Sequence, residues 1–206
     1  MIELVAVLAV AAILVALFLP AILKTKAKPS SVKCVNNLKN VGLSFRIFAT
    51  DNQDKFPMLL SITNGGSMEY LSQPFSAFRH FTAVSNELST PVIIVCPEDS
   101  GIPRATNFAS LQNSNNSYFV GIDSKQERPT MILAGDKGIQ NGSTHQNGFL
   151  NLTSNLKTVW LGGPHDRIGN LCMADGSVNQ SDSKRLSQIV KETGDPTNRI
   201  ALPLFP

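Results

Sequence analysis

His165, Asp166 and Asp175 fall within one short stretch, and Asp136 lies upstream of them. An imidazole nitrogen beside anionic oxygens is a donor set for a divalent ion or for proton transfer. The metal candidates are therefore His165, Asp175 and Asp136. A plainer reading stands beside this one. Asp175-Gly176 suits a tight turn, and His165 can hold a loop against a sheet by bonding a backbone group. On that reading the chain has no catalytic residue, no cofactor and no metal. Cys34, Cys96 and Cys172 are an odd set without CxxC spacing, which offers neither a zinc knuckle nor a thioredoxin-type motif and allows at most one internal disulfide. The chain also lacks GxSxG, HExxH, P-loop and paired-carboxylate patterns.

Any such site has to be carried by elements, and the 206 residues fit one ordinary domain plus an appendage. Apolar residues make up 42% of the chain but crowd its front: Leu4 to Leu23 carries no charge and is interrupted by Pro20 alone. As a helix this run is about 30 Å long, the thickness of a bilayer's hydrocarbon core. Its apolar residues cover every face, which argues against a helix buried by one stripe in a soluble core. A cleaved secretory signal would need a basic n-region, a shorter apolar core and a small-residue cleavage site. Pro20 lacks an amide donor and is expected to loosen the helix near the lipid boundary. Glu3 stands at the entrance, where an unpaired carboxylate in lipid costs about 2.5–3.5 kcal/mol and calls for a partner unless it sits among headgroups.

Beyond Pro29 the helix is expected to resume, with Val32, Val35, Leu38, Val41 or Gly42, Phe45 and Phe48 at three- to four-residue spacing. Lys33, Asn36, Asn37, Lys39, Asn40 and Arg46 form its polar face, and Asp51 to Asp54 end the pattern. Phe75, Phe78, Phe81, Val84 and Leu88 predict a short helix within Pro74 to Leu88 whose aromatics pack. Strands are expected at Val92 to Val95, Tyr118 to Val120, Met131 to Ala134, Val159 to Leu161 and Leu171 to Ala174. Asp175-Gly176 joins the last of these to Ser177-Val178 as a hairpin in which both turn positions favour positive φ. Asn107 to Asn116 and Gln140 to Asn155 read as exposed loops. Asp182 or Ser183 caps a helix from Lys184 to Glu192, Gly194 follows its end, and Asn198 to Pro206 is an extended tail. The parts are thus 1–23, a membrane or filament-core helix; 24–50, its amphipathic continuation; and 51–206, a soluble α+β head. Cys34 and Cys96 are the pair that could staple helix to sheet in an oxidising compartment, at a distance the sequence does not set. Cys172, within an apolar run, reads as a buried small hydrophobe. A net charge of +3, dispersed along the chain, predicts no nucleic-acid partner.

This order of parts resembles the type IV pilin and type II secretion pseudopilin superfamily. Met1-Ile-Glu3-Leu-Val-Ala-Val is similar to that family's N-terminal processing and methylation signature, and Glu3 matches its glutamate. His165 followed by Asp175-Gly176 matches the His-x9-Asp-Gly element of a bacterial branch, and Cys34-Val-Asn-Asn-Leu, Cys96-Pro97 and Asn198-Arg199-Ile-Ala-Leu-Pro203 are similar to further elements of it. The resemblance implies a long hydrophobic-to-amphipathic helix packed on a small antiparallel sheet. It implies a structural filament subunit, a pseudopilin or minor pilin, held in the bacterial inner membrane before assembly with its head periplasmic or extracellular. Its partners would be homologous subunits through the N-terminal helix, membrane lipid and, if a leader exists, a prepilin peptidase. Glu3 would pair with the amino terminus of a neighbouring subunit. The family's Gly and Phe at the cleavage point and its basic leader do not precede Ile2: either the start is placed too late or this is a trimmed or degenerate copy. An in-frame leader ending Gly-Phe-Thr upstream of Met1 would favour the filament reading, while its absence would leave the anchored module. That leader would also reverse the bias of Lys24, Lys26, Lys28 and Lys33, which by themselves place the head in the cytoplasm. The reading from another class is a membrane-tethered hydrolase or binding module that uses its helix only as an anchor.

Overall fold

The structure, a computed structural model, describes Val7 and residues 29–142 and 145–203. Glu3, Pro20 and, Val7 apart, the apolar run lie outside the described residues. Among the described residues no helix is long and apolar enough to cross a membrane.

The fold is α+β. Helix α1 (Pro29–Asp51) packs on a six-stranded antiparallel sheet. Its buried stripe is Cys34, Leu38, Val41, Phe45, Phe48 and Ala49. These positions recur every three or four residues and so share one side of the helix. The stripe differs from the expected one at its start, where Cys34 is buried while Val32 is exposed and Val35 is half-buried. Beneath the helix, Phe45 meets Phe56 and Phe81 edge to face, with ring centroids 6.3 and 6.0 Å away. Phe81 belongs to α2 (Ala77–Ala83), which breaks at Val84 before α3 (Ser85–Leu88). The expected single helix is therefore two. Phe75 falls outside both, exposed and at φ +51°.

The strands are β1 (Tyr118–Gly121), β2 (Ile132–Asp136), β3 (Ile139–Gln140), β4 (Phe149–Asn151), β5 (Val159–Trp160), β6 (Ile168–Met173), β7 (Val178–Asp182) and β8 (Arg199–Ala201). The large sheet runs β4-β8-β1-β2-β6-β7, and β3 and β5 form a separate ribbon. Both faces of the sheet are covered. Tyr118, Val120, Leu133, Cys172 and Ala201 face the α1 core, while Phe119, Ile132, Leu171, Met173 and Ile200 face a second core. Helix α4 (Ser183–Glu192) supplies Leu186, Ile189 and Val190 to that second core. Burial on both sides explains why β1 and β2 are apolar without alternation. A register shift between Ile132 and Ala134 opposite β6 puts Leu133 and Ala134 on the same core.

Three expectations are corrected. Val92 to Val95 is not a strand: Thr90 accepts from the Val92 amide and Pro91 starts a 3-10 turn over Pro91–Ile94. Proline's fixed φ and missing N–H suit the first turn of a helix and not a ladder. Gln140 to Asn155 is not a plain loop, since it contains β4. Asn198 to Pro206 is not a plain tail, since β8 pairs with β1 on one side and β4 on the other. The β6–β7 turn also differs in kind. Met173 N–H donates to Ser177, Gly176 N–H donates to Met173, and of the Asp175-Gly176 pair only the glycine has positive φ, +83°. This is a three-residue loop with a left-handed glycine, not a two-residue turn.

Helix α1 sits close to the sheet because of Gly42. A Cβ there would lie 2.4 Å from Cys172 Sγ and 3.3 Å from the Gly176 Cα. Overpacking costs about 1–3 kcal/mol, whereas Gly→Ala in a helix gains about 0.5–1 kcal/mol. Gly42→Ala is thus expected to destabilise by about 1–2 kcal/mol, and the loss should shrink in a Cys172→Ala background. Thermal melts of the four chains of this cycle test the close approach, and a plain stabilisation by Gly42→Ala would refute it.

Candidate functional site

Polar groups concentrate where the first turns of α1 meet the sheet, the segment 95–99 and the turn 163–166. Cys34 on α1 and Cys96 are joined by a disulfide, with 5.0 Å between Cα atoms. Both are fully buried. Asn37, one turn further along α1, donates from Nδ2 to the Val95 carbonyl at 3.2 Å, so helix and segment are tied twice.

His165 reaches this corner from the turn preceding β6, and its side chain is 5% exposed. Nδ1 lies 3.1 Å from Glu98 Oε2. Nε2 lies 3.4 Å from Cys96 Sγ and 3.6 Å from Asp136 Oδ2. The ring is positioned by side chains from separate segments, and not by the backbone group that the plainer sequence reading offered. Asp166, next to it, is exposed and held at φ +61°.

Asp136 ends β2, directly beside Tyr118 of β1. Its Oδ2 accepts from the Asn170 backbone N–H at 2.7 Å and from Asn170 Nδ2 at 2.8 Å. Its Oδ1 is buried and has no hydrogen-bond partner among the described residues. Burial pushes the Asp136 carboxyl up to about 6, with neighbouring Asp99 adding to the rise, while His165 and the two Asn170 donors act the other way. Lys137, the next residue, points its Nζ at Asp99 Oδ2, 2.8 Å away, and Ser117 Oγ donates to the same oxygen at 2.8 Å. Buried ion pairs of this kind hold register where each member is also hydrogen-bonded.

Of the metal candidates, His165 and Asp136 meet. Asp175 does not join them: it lies at the far end of the six-residue β6 from His165. There its Oδ1 accepts from the Ser177 amide, and its carbonyl accepts from Arg46 Nη1 of α1, both at 2.8 Å. The two halves of the His-x9-Asp-Gly element thus serve opposite ends of one strand. His165 docks at the start of α1, and the Asp175-Gly176 turn docks halfway along it. Sequence reasoning missed Glu98, Asp99 and Lys137. The run Cys96-Pro97-Glu98-Asp99 was the available signal, since it puts two carboxylates directly behind a cysteine.

A cleft of about 350 Å³ lined by Ser31, Glu98, Pro164, His165, Asp166 and Ile168 opens beside the ring. With its sulfurs bonded to each other, this corner is a covalent clamp on the root of α1, and the Glu98–His165 and Asp99–Lys137 pairs hold the clamped segment against the end of β2 and the turn before β6. No family model, curated protein or solved structure matches the chain.

Proposed function

We propose that the chain is a structural subunit, a pseudopilin or minor pilin, of a type II secretion or type IV pilus-like filament. In this reading residues 1–23 anchor it in the bacterial inner membrane before assembly, with the head periplasmic or extracellular. The same apolar surface then packs against other subunits in the filament. One observation carries the proposal: the apolar run is followed in the chain by a helix that packs on an antiparallel sheet and is tied at its first turns to the segment 95–99. A force applied along the stem would pass into the head through the disulfide and the Asn37 bond, and not through side-chain packing alone.

Helix α1 also keeps an uncovered side suited to neighbours. Val32, Leu43 and Ile47 are 49%, 54% and 43% exposed, and their spacing of eleven and four residues aligns them on one face. Polar Asn36, Lys39 and Asn40 lie between Val32 and Leu43 on this side, so the apolar patch is confined to Leu43 and Ile47.

Glu3 supplies the test. Paired with a neighbour's amino terminus, its carboxylate offsets its own desolvation and sets axial register, and loss of one partner of a buried pair costs about 3–5 kcal/mol. Glu3→Ala is expected to insert into membranes normally while its incorporation into filaments falls more than about tenfold. Crosslinking through the N-terminal segment measures this, and wild-type levels of incorporation would contradict the proposal.

A further inference from the structure

We propose that reduction of the Cys34–Cys96 disulfide turns this corner into a zinc-type metal site, with Cys34 Sγ, Cys96 Sγ, His165 Nε2 and an Asp136 carboxylate oxygen as ligands. The ligand atoms of Cys34, Cys96 and His165 all lie within 4.8 Å of one another. The Nε2 to Cys96 Sγ and Nε2 to Asp136 Oδ2 distances are 3.4 and 3.6 Å. Tetrahedral zinc with bonds of about 2.0–2.3 Å spaces its ligand atoms by roughly 3.3–3.8 Å, so these edges already fit.

Three further features suit an ion. The His165 ring keeps Nε2 toward the sulfurs because Nδ1 is engaged by Glu98 Oε2, and a carboxylate behind a ligating histidine is the usual outer support of such sites. Asp136 is 1% exposed; its Oδ2, the oxygen near His165, also accepts from Asn170, while Oδ1 has no partner among the described residues, so a small turn of the carboxylate would give Oδ1 to the ion. Two thiolates with one imidazole and one carboxylate favour zinc over calcium or magnesium, which prefer all-oxygen shells.

The ligands come from α1, the segment after Val95, the end of β2 and the turn before β6. An ion would therefore replace the disulfide as the link between α1 and the segment after Val95 and would add the end of β2 to that link. The chemistry balances with a water-soluble phosphine as reductant. The phosphine becomes its oxide with one oxygen from water, and each cysteine gains an electron and a proton. Zinc then displaces the two thiol protons, and His165 binds through neutral Nε2. In the oxidised chain the sulfurs carry no thiolate charge, which leaves one imidazole and one carboxylate.

The experiment titrates Co(II), then Zn(II) in competition, into the full chain with and without phosphine, while near-ultraviolet circular dichroism follows the environment of Trp160. The reduced chain is expected to take up one equivalent, with tetrahedral d–d bands and a thiolate-to-cobalt charge-transfer band. Binding should be at least about 100-fold weaker when oxidised or in Cys34→Ser, and about tenfold weaker in Asp136→Asn. Equal uptake by oxidised and reduced chains would overturn the proposal. So would a folded reduced chain without the bands, or bands indifferent to His165→Gln and Asp136→Asn, which would mark thiolates of an unfolded chain. Failure of zinc to restore the near-ultraviolet signal, should reduction abolish it, would overturn it as well.

Discussion

Replacing Cys34 and Cys96 together by alanine is expected to lower the unfolding free energy by about 4 kcal/mol. The bridge closes a loop of 62 residues. In the chain-entropy description, a link over that separation restricts the unfolded chain by an amount between those for 15- and 100-residue loops, about 3 and 4.7 kcal/mol. For a chain of this size each kcal/mol moves the melting midpoint by about 2–4 °C, so the midpoint should fall by roughly 8–16 °C. The loss acts on a particular joint. Leu38, Val41 and Phe45 still bury the middle of α1, but its first turns keep the Asn37 bond to Val95 and a long, exposed Gln180–Ser31 bond of 3.5 Å. Hydrogen exchange should therefore rise first in residues 31–37 and 95–99. Thermal melts of the oxidised chain and of the double variant measure the effect. A shift below about 3 °C would show that packing alone holds the helix root.

Acid should destabilise the head through His80. The ring is fully buried on α2, with Nδ1 2.8 Å from Ser67 Oγ and Nε2 without a hydrogen-bond partner among the described residues. Burial lowers its pKa from 6.5 to about 4, because the charged ring would lose its water without gaining an anion. Between those values the unfolded chain holds more protons than the folded one. Stability from this group is thus complete above about 6.5 and is lost as pH falls toward 4, by roughly 3 kcal/mol. Asp136 works in the opposite sense: its carboxyl is held up near 6, so protonation below that value favours the folded state. The difference in unfolding free energy between wild type and His80→Gln, followed from pH 7 to pH 4, cancels Asp136 and isolates the histidine. This difference should fall by roughly 3 kcal/mol over the window. A constant difference would mean that His80 titrates normally in the fold.

Where local chemistry decides the structure, the chain is legible. The Asp182 side chain accepts from the Arg185 amide, α4 runs Ser183–Glu192, and Gly194 takes φ +67°, all as their residue types require. The periodicity of α1 predicted a half-covered helix, and the apolar runs predicted β1, β2, β5 and β6. What stayed hidden were β4 and β8, and not for shortness alone, since β5 with two residues was legible from its Val-Trp-Leu run; their flanks carry loop-like composition. Neither β4 nor β8 exceeds three residues. Arg199 is placed by Asp123, which accepts from its Nη2 at 2.6 Å across 76 residues of chain. Asn198, buried at φ +39°, donates to the carbonyls of Leu152, Val190 and Asp195. Such bonds leave no local trace, because each partner looks like ordinary loop composition until the sheet brings it near. Conversely, β-branched Val92 to Val95 looked like strand, and Pro91 overrode that propensity by denying the ladder a donor.

By itself the sequence determined that an uncharged apolar stem leads into an amphipathic helix, that a head of strands and turns follows, and that three cysteines permit one bridge. Those properties live in composition and short-range spacing, where side-chain type dictates backbone preference directly. Only the tertiary structure decided that Cys96, Glu98, Asp136 and His165 share one corner, and that Asp175 belongs to a different end of the same strand. Contacts across 67 and 69 residues depend on strand order and register, which the burial of both sheet faces settles collectively.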